Sequence, residues 1–259
     1  MSGPLYGIGP WQLALGLVFV LAAGLASLAH QLRLGRELAV GTVRTFAQLF
    51  LMGYVLRLVF DADMLILSLG VFLVMVATAT HIVSGRARQP KVGVRLPVFA
   101  TMLTSYFLVA LLVTSVIVGA KPWWRPEYFI PLSGMVVGNS MTALSLALER
   151  LFADLRAKRA EVEMRLCLGA DYREASQPIV RDALRAGMIP SINSMMGVGL
   201  VFIPGMMTGQ ILAGADPLAA IRYQIVVMLM LVGSTALGSL LVVLWARRRC
   251  FGEAQRPLV

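Results

Sequence analysis

Seven stretches of roughly twenty apolar residues, the length a helix needs to cross the hydrocarbon core of a bilayer, dominate the chain. They lie near 11–29, 38–60, 64–83, 96–118, 129–148, 188–206 and 222–246. Of the 259 residues, 58% are hydrophobic and only 14% charged, a balance that fits lipid rather than water as the main solvent. The expectation is an all-α, polytopic membrane bundle forming a single transmembrane domain over 1–259. Glycine, proline and asparagine interrupt the fifth and sixth spans, so both are expected to be discontinuous. No Lys or Arg precedes the first span, which therefore reads as a retained helix and not as a cleaved leader.

The net charge is +10, and its distribution reports topology rather than nucleic-acid binding. Alternate connections carry the cations: Arg33 and Arg36; Arg86, Arg88, Lys91 and Arg95; a cluster over 149–187; and Arg247, Arg248, Arg249 and Arg256. The other connections hold few cations, Lys121, Arg125 and Arg222, beside Asp61, Asp63, Glu127 and Asp216. The positive-inside rule then gives an outside N-terminus and an inside C-terminus in an inner, or plasma, membrane. Trp123 and Trp124 suit the outer interface and Trp245 the inner one. Cys167 and Cys250 both fall on the cytoplasmic side, where a structural disulfide is not expected. No G-x-x-x-x-G-K-[ST] loop is present, so any ATP–Mg must be bound by a partner.

The polar stretch 149–187 is the longest connection. Leu148, Leu151, Phe152 and Leu155 recur at helical spacing, as do Val162, Leu166 and Ala170. Gly169 can end one helix and Asp171 can begin the next, giving two short amphipathic helices joined at the glycine. One reading is a surface helix held to anionic lipid by its arginines. The other rests on a resemblance: Glu163, Gly169, Ala170 and Ile179 fall at the intervals of the cytoplasmic loop by which ABC importer permeases dock on their ATPases. Arg181-Asp182 replaces the Leu-Pro of that pattern.

Polar residues inside the spans suggest a pathway. Arg44 and Gln48 share one helix face; Arg44 either snorkels to the interface or faces the bundle. His30 and His81 sit at separate span ends and make no metal site. Asn139-Ser140-Met141 in the fifth span is echoed by Asn193-Ser194-Met195 in the sixth. Paired interruptions of this kind mark transport sites, although small and amide residues also serve close helix packing. Met206, Met207 and Gln210 follow Pro204-Gly205, where a helix is doubtful and a loop could wrap a ligand. Thioethers suit soft ions such as Cu(I), yet adjacent methionines on a helix diverge by about 100°. That geometry favours an adaptable surface over a chelating cage.

The segments "RTFAQLFLMGYVL", "GNSMTALSLALERL", "EVEMRLCLGADYREA" and "IPSINSMMGVGLVFIPGMMTGQILAGADPLAAIRYQIVVM" together resemble the FetB-type iron-export ABC permeases. Plant relatives of that family are linked to aluminium tolerance. The resemblance implies a permease subunit, paired as a homodimer with separate ABC ATPases, that carries iron or a related metal species as substrate and binds no cofactor itself. Its ATPase-coupling surface would then be Glu161, Glu163, Arg165, Gly169, Ala170 and Glu174. An organic-solute or metal-chelate permease, and a secondary transporter or channel working alone, remain alternatives. All Asp and Glu lie in connections or at span ends, which argues against proton coupling. No nucleophile–base pattern supports an enzyme.

Overall fold

The computed structural model describes residues 7, 9–32, 34–87, 92–252 and 257–258. Among these residues nine α-helices follow one another: α1 Pro10–Ala29, α2 Gly35–Ala62, α3 Leu65–Arg86, α4 Arg95–Leu112, α5 Pro126–Ala157, α6 Arg159–Cys167, α7 Tyr172–Gly197, α8 Gly205–Leu212 and α9 Pro217–Arg249. Among the described residues there are no strands, only two isolated bridges. Among the described residues six helices are long and apolar enough to cross a membrane: α1, α2, α3, α4 with its extension to Ile117, α5 and α9. The protein is a multi-pass helical membrane protein. Arg33, Arg88, Lys91 and Arg256, which entered the topology argument, lie outside the described residues.

Two expectations need correcting. The fifth span is not interrupted: α5 runs unbroken for 32 residues through Pro131, Gly134, Gly138 and Asn139. The Asn139 amide donates to the Met135 carbonyl at 3.4 Å, so the side chain supports the turn it was expected to break. The sixth span is broken, but its helix begins far earlier than residue 188. α7 is continuous from Tyr172, crosses Pro178 and Pro190, and stops at Gly197.

The chain forms two compact units, Met1–Asp63 with Leu212–Gly214, and Met64–Ile211 with Ala215–Val259. In the first, α1 and α2 form a helical hairpin. The Ser27 hydroxyl accepts from Leu34 N at 3.0 Å to close the turn. Leu13, Thr45, Phe46, Leu49 and Phe50 line a shallow apolar groove between the two helices. Only Ser27 and Val59 are buried in these helices, as expected of a hairpin whose apolar surface is solvated by lipid.

The second unit is a bundle whose helix directions follow from its cross-contacts. Phe72 meets Phe129 and Gly134 faces Met75, so α3 and α5 run parallel. Thr80 meets Met102 while Phe72 meets Phe107, so α4 runs against α3. Gly187 packs on Ala143 and Ala147 while Asp182 pairs with Lys158, so α7 runs against α5. Ser191 meets Thr235 and Gln177 meets Arg247, setting α7 against α9 as well. Small residues bring α5 and α7 together: a Cβ on Gly187 would lie 2.8 Å from the Ala143 carbonyl oxygen. Tyr106, Phe129, Phe152, Met102 and Leu144 fill the centre, each fully buried.

The two ends of this bundle differ chemically. One holds α6 and the basic ends of α3 and α9, with Arg86 and Arg247, Arg248 and Arg249 in their last turns. The other carries the edge-to-face aromatic cluster of Phe72, Phe107, Trp123, Trp124 and Phe129. Near this aromatic end α4 widens into a π-helical turn, Val113–Ile117, where Thr114 and Ser115 hydroxyls bond back to Ala110 and Leu111 carbonyls.

Candidate functional site

The stretch 149–187 is less of a loop than its composition suggests. Residues 149–157 are the last turns of α5, and Leu148, Leu151, Phe152 and Leu155 are buried core residues rather than one face of a surface helix. The two helices joined at Gly169 are present, but the second is the full 26 residues of α7 rather than a short segment. What remains as a separate element is α6 and its turn. Val162 anchors α6 by burial. Glu163 accepts from Arg159 at 2.8 Å and Glu161 from Arg165 at 2.6 Å, so the charges of α6 are largely paired along its own surface.

The turn is tightly specified. Gly169 adopts φ +96°, a conformation that L side chains rarely take. Its amide and that of Ala170 donate back to the Leu166 and Arg165 carbonyls, both at 3.1 Å. Asp171 then caps α7, accepting from Arg173 N at 2.8 Å and Glu174 N at 2.7 Å. The Glu174 carboxylate returns to Asp171 N at 3.3 Å, completing a capping box. Met164 and Leu168, neither singled out by the sequence, stand 57% and 80% exposed on this element. Helix spacing puts this apolar pair on one face.

Deeper in the bundle, the packing register brings the two Asn-Ser-Met elements to one level. With Gly187 opposite Ala143 and Ala147, residues 139–141 on α5 lie across from the turn of α7 that contains Asn193. Asn139 and Asn193 are exposed, Met195 is 38% exposed and Ser140 is fully buried. The same level includes polar groups that the sequence did not mark. Ser191 donates to Thr235 at 3.3 Å, Tyr106 lies beside Ser140, and Gly238 admits the Tyr106 ring. The Oη of Tyr106 and the Oγ of Ser140 and Ser239 are buried without an ordinary hydrogen bond.

The break after α7 is a compact turn. Val201 N donates to the Gly197 carbonyl at 2.8 Å and Gly199 N to the Phe202 carbonyl at 2.9 Å. Leu200 and Val201 point outward at 93% and 83% exposure, an apolar tip.

A model of the family described as "Uncharacterised protein family (UPF0014)" matches residues 10–251. The chain belongs to the UPF0014 family. A UPF0014 membrane protein of Synechocystis, slr1647, is 38% identical, with 96% of this chain and 95% of the relative covered. The "Probable iron export permease protein FetB" of Escherichia coli is 31% identical over 96% of this chain and 94% of its own. "Protein ALUMINUM SENSITIVE 3" of Arabidopsis thaliana is 36% identical over 88% and 82%. No solved structure matches.

In this UPF0014 chain the remaining candidates lie on other helices. Met206, Met207 and Gln210 lie on α8, which is helical where a wrapping loop was expected and has no buried residue. Consecutive methionines there diverge by about 100° and cannot both face one ion. Arg44 and Gln48 belong to the α1–α2 unit and are exposed on α2. Among the described residues no three His, Cys, Asp or Glu side chains cluster as a metal site. The UPF0014 bundle thus presents one stiff turn at its α6 end and one polar level between α5, α7 and α9.

Proposed function

We propose that the chain is the membrane subunit of an ABC transporter that exports iron or a related metal species, driven by ATP hydrolysed on a separate subunit. The observation that carries this reading is the α6–Gly169–α7 element. α6 is short, has its charges paired, and leads through the fixed Gly169 turn into a helix packed on both α5 and α9. A body pressing on α6 would move α7 as a unit, because packed helices shift between discrete arrangements and do not deform smoothly. The name of the Escherichia coli relative, an iron export permease, supplies the substrate class.

In this reading the α6 end faces the cytoplasm, in keeping with its arginines. Two copies of the chain pair with two ATPases. Closure of the ATPases shifts α7 against α5, and the level of Asn139, Ser140, Met141, Asn193, Ser194 and Met195 changes its access to the two sides. The methionines there act as adaptable lining, a role thioethers fill well. ATP–Mg is held by the ATPase; the metal is cargo.

The test is reconstitution of the chain with its ATPase in proteoliposomes. Fe(II)-stimulated hydrolysis and ATP-driven iron flux are expected. Robust flux of an organic solute with none of iron would overturn the substrate assignment. A Cβ at Gly169 meets open space, so the main cost of Gly169→Val is backbone strain at a positive φ, about 1–3 kcal/mol. That variant is expected to insert normally and to lose ATP-driven transport.

A further inference from the structure

The end of α9 and Phe251 just beyond it grip the start of α7. The Arg247 guanidinium lies 5.8 Å from the centre of the Tyr172 ring, and its Nη1 donates to Gln177 Oε1 at 3.5 Å. The Phe251 ring also meets Tyr172, at 5.5 Å and 46°. Two further contacts meet the same place: Leu258 N donates to the Cys250 carbonyl at 2.8 Å, and Phe251 bridges to Pro257. Phe251 is buried although it follows the run Arg247-Arg248-Arg249, so protein rather than lipid covers it. Two residues before Phe251, Arg249 donates from Nη1 to the Gly93 carbonyl, in the α3–α4 connection, at 2.8 Å.

Tyr172 is the first residue of α7, directly after the Asp171 cap and two residues past Ala170. The contacts therefore fall on the helix start that carries the coupling turn. We propose that Tyr172, Arg247 and Phe251 are positioning residues for that turn: they carry its displacement into α9 and, through Arg249, into the α3–α4 connection. The inference rests on the ATPase-coupling reading given above. Packing along α7 moves α5 and α9 in their middles; this second link moves α9 from its end, so four helices respond together. The neighbouring Lys158–Asp182 pair, at 3.9 Å and on exposed side chains, is too weak a tie to do the same.

The experiment uses the full chain with its ATPase in nanodiscs, comparing wild type with Phe251→Ala, Tyr172→Ala, Tyr172→Phe and Arg247→Gln. Readouts are co-purification of the ATPase, permease-dependent ATP hydrolysis, and amide exchange over 172–180 and 92–98. Phe251→Ala, Tyr172→Ala and the milder Arg247→Gln are expected to retain the ATPase yet lower permease-dependent hydrolysis about fivefold or more. Exchange should quicken in both segments together. Tyr172→Phe keeps the ring that Arg247 and Phe251 meet, though not the hydroxyl that accepts from Arg173 Nε at 3.1 Å, and is expected to retain most of the wild-type hydrolysis. Wild-type hydrolysis in Arg247→Gln and Phe251→Ala would overturn the inference while leaving the coupling reading intact. A wild-type pair without permease-dependent hydrolysis would overturn the coupling reading itself, and this inference with it.

Discussion

Gly238 of α9 makes room for Tyr106 of α4: a Cβ at that position would overlap the tyrosine hydroxyl and stand 2.9 Å from Cζ and 3.0 Å from Cε1. Tyr106 is fully buried, so the ring has no free space into which to retreat. Gly238→Ala is therefore expected to destabilise the bundle by about 1–3 kcal/mol, the usual cost of overpacking. Removing the hydroxyl alone, in Tyr106→Phe, should not rescue it because the ring carbons also clash. Tyr106→Leu should. Thermal melts of detergent-solubilised single and double variants check this; an unchanged melt for Gly238→Ala would count against the packing.

The α5–α7 contact responds to the same logic with less tolerance. At Gly187 the nearest obstruction is the Ala143 backbone carbonyl oxygen at 2.8 Å, with the Ala147 Cβ at 2.9 Å. A main chain cannot rotate away as a side chain does. Gly187→Ala should lower the melting temperature by an amount corresponding to about 1–3 kcal/mol and force α5 and α7 apart at the level of Asn139 and Asn193. A larger spin-label separation between the two helices is the measurement.

Asp171 satisfies two amides at the start of α7. Asp171→Ala is expected to cost about 0.5–2 kcal/mol, and Asp171→Asn much less, because the amide oxygen still accepts. Hydrogen exchange at residues 173–175 should quicken only in the alanine variant.

The cysteines should differ sharply in reactivity. Cys167 is exposed and Cys250 is buried. Burial pushes the Cys250 thiol up to about 12, from an ordinary 9.0. At pH 8 a maleimide should label Cys167 and leave Cys250 untouched until the chain is unfolded. Between pH 9.0 and about 12 the folded chain keeps a proton that the unfolded chain has released, so stability falls as pH rises through that window. Labelling of both thiols at similar rates would contradict the burial of Cys250.

The parts of this structure that were legible in sequence are those written locally. Gly169, Asp171 and Glu174 specify a turn and a cap within six residues, and both are present. The apolar runs gave the long helices because the bilayer fixes their length. The predicted break in span five failed because helix breakers are tolerated where neighbours accommodate them: Gly134 faces Met75, and Asn139 bonds to its own helix. The helix after Pro204 was missed because proline suits a first turn as well as it ends a helix; Thr208 N reaches back to the Pro204 carbonyl at 3.0 Å. Tyr106 with Gly238, and Tyr172 with Phe251, are pairs distant in sequence. A single sequence holds no local signal for either.

The unbroken α5 has a mechanical consequence. At 32 residues it is a rod of about 48 Å, against a hydrocarbon core of about 30 Å. Some 18 Å of it must therefore stand clear of the core, on the same shaft as the part inside. A tilt of about 5° about one end would swing the other by roughly 4 Å, comparable to the width of a small hydrated passage. A lever of this length needs no local melting to open or shut a path, and a joint engineered into its middle, such as a double glycine, would let the two halves move independently.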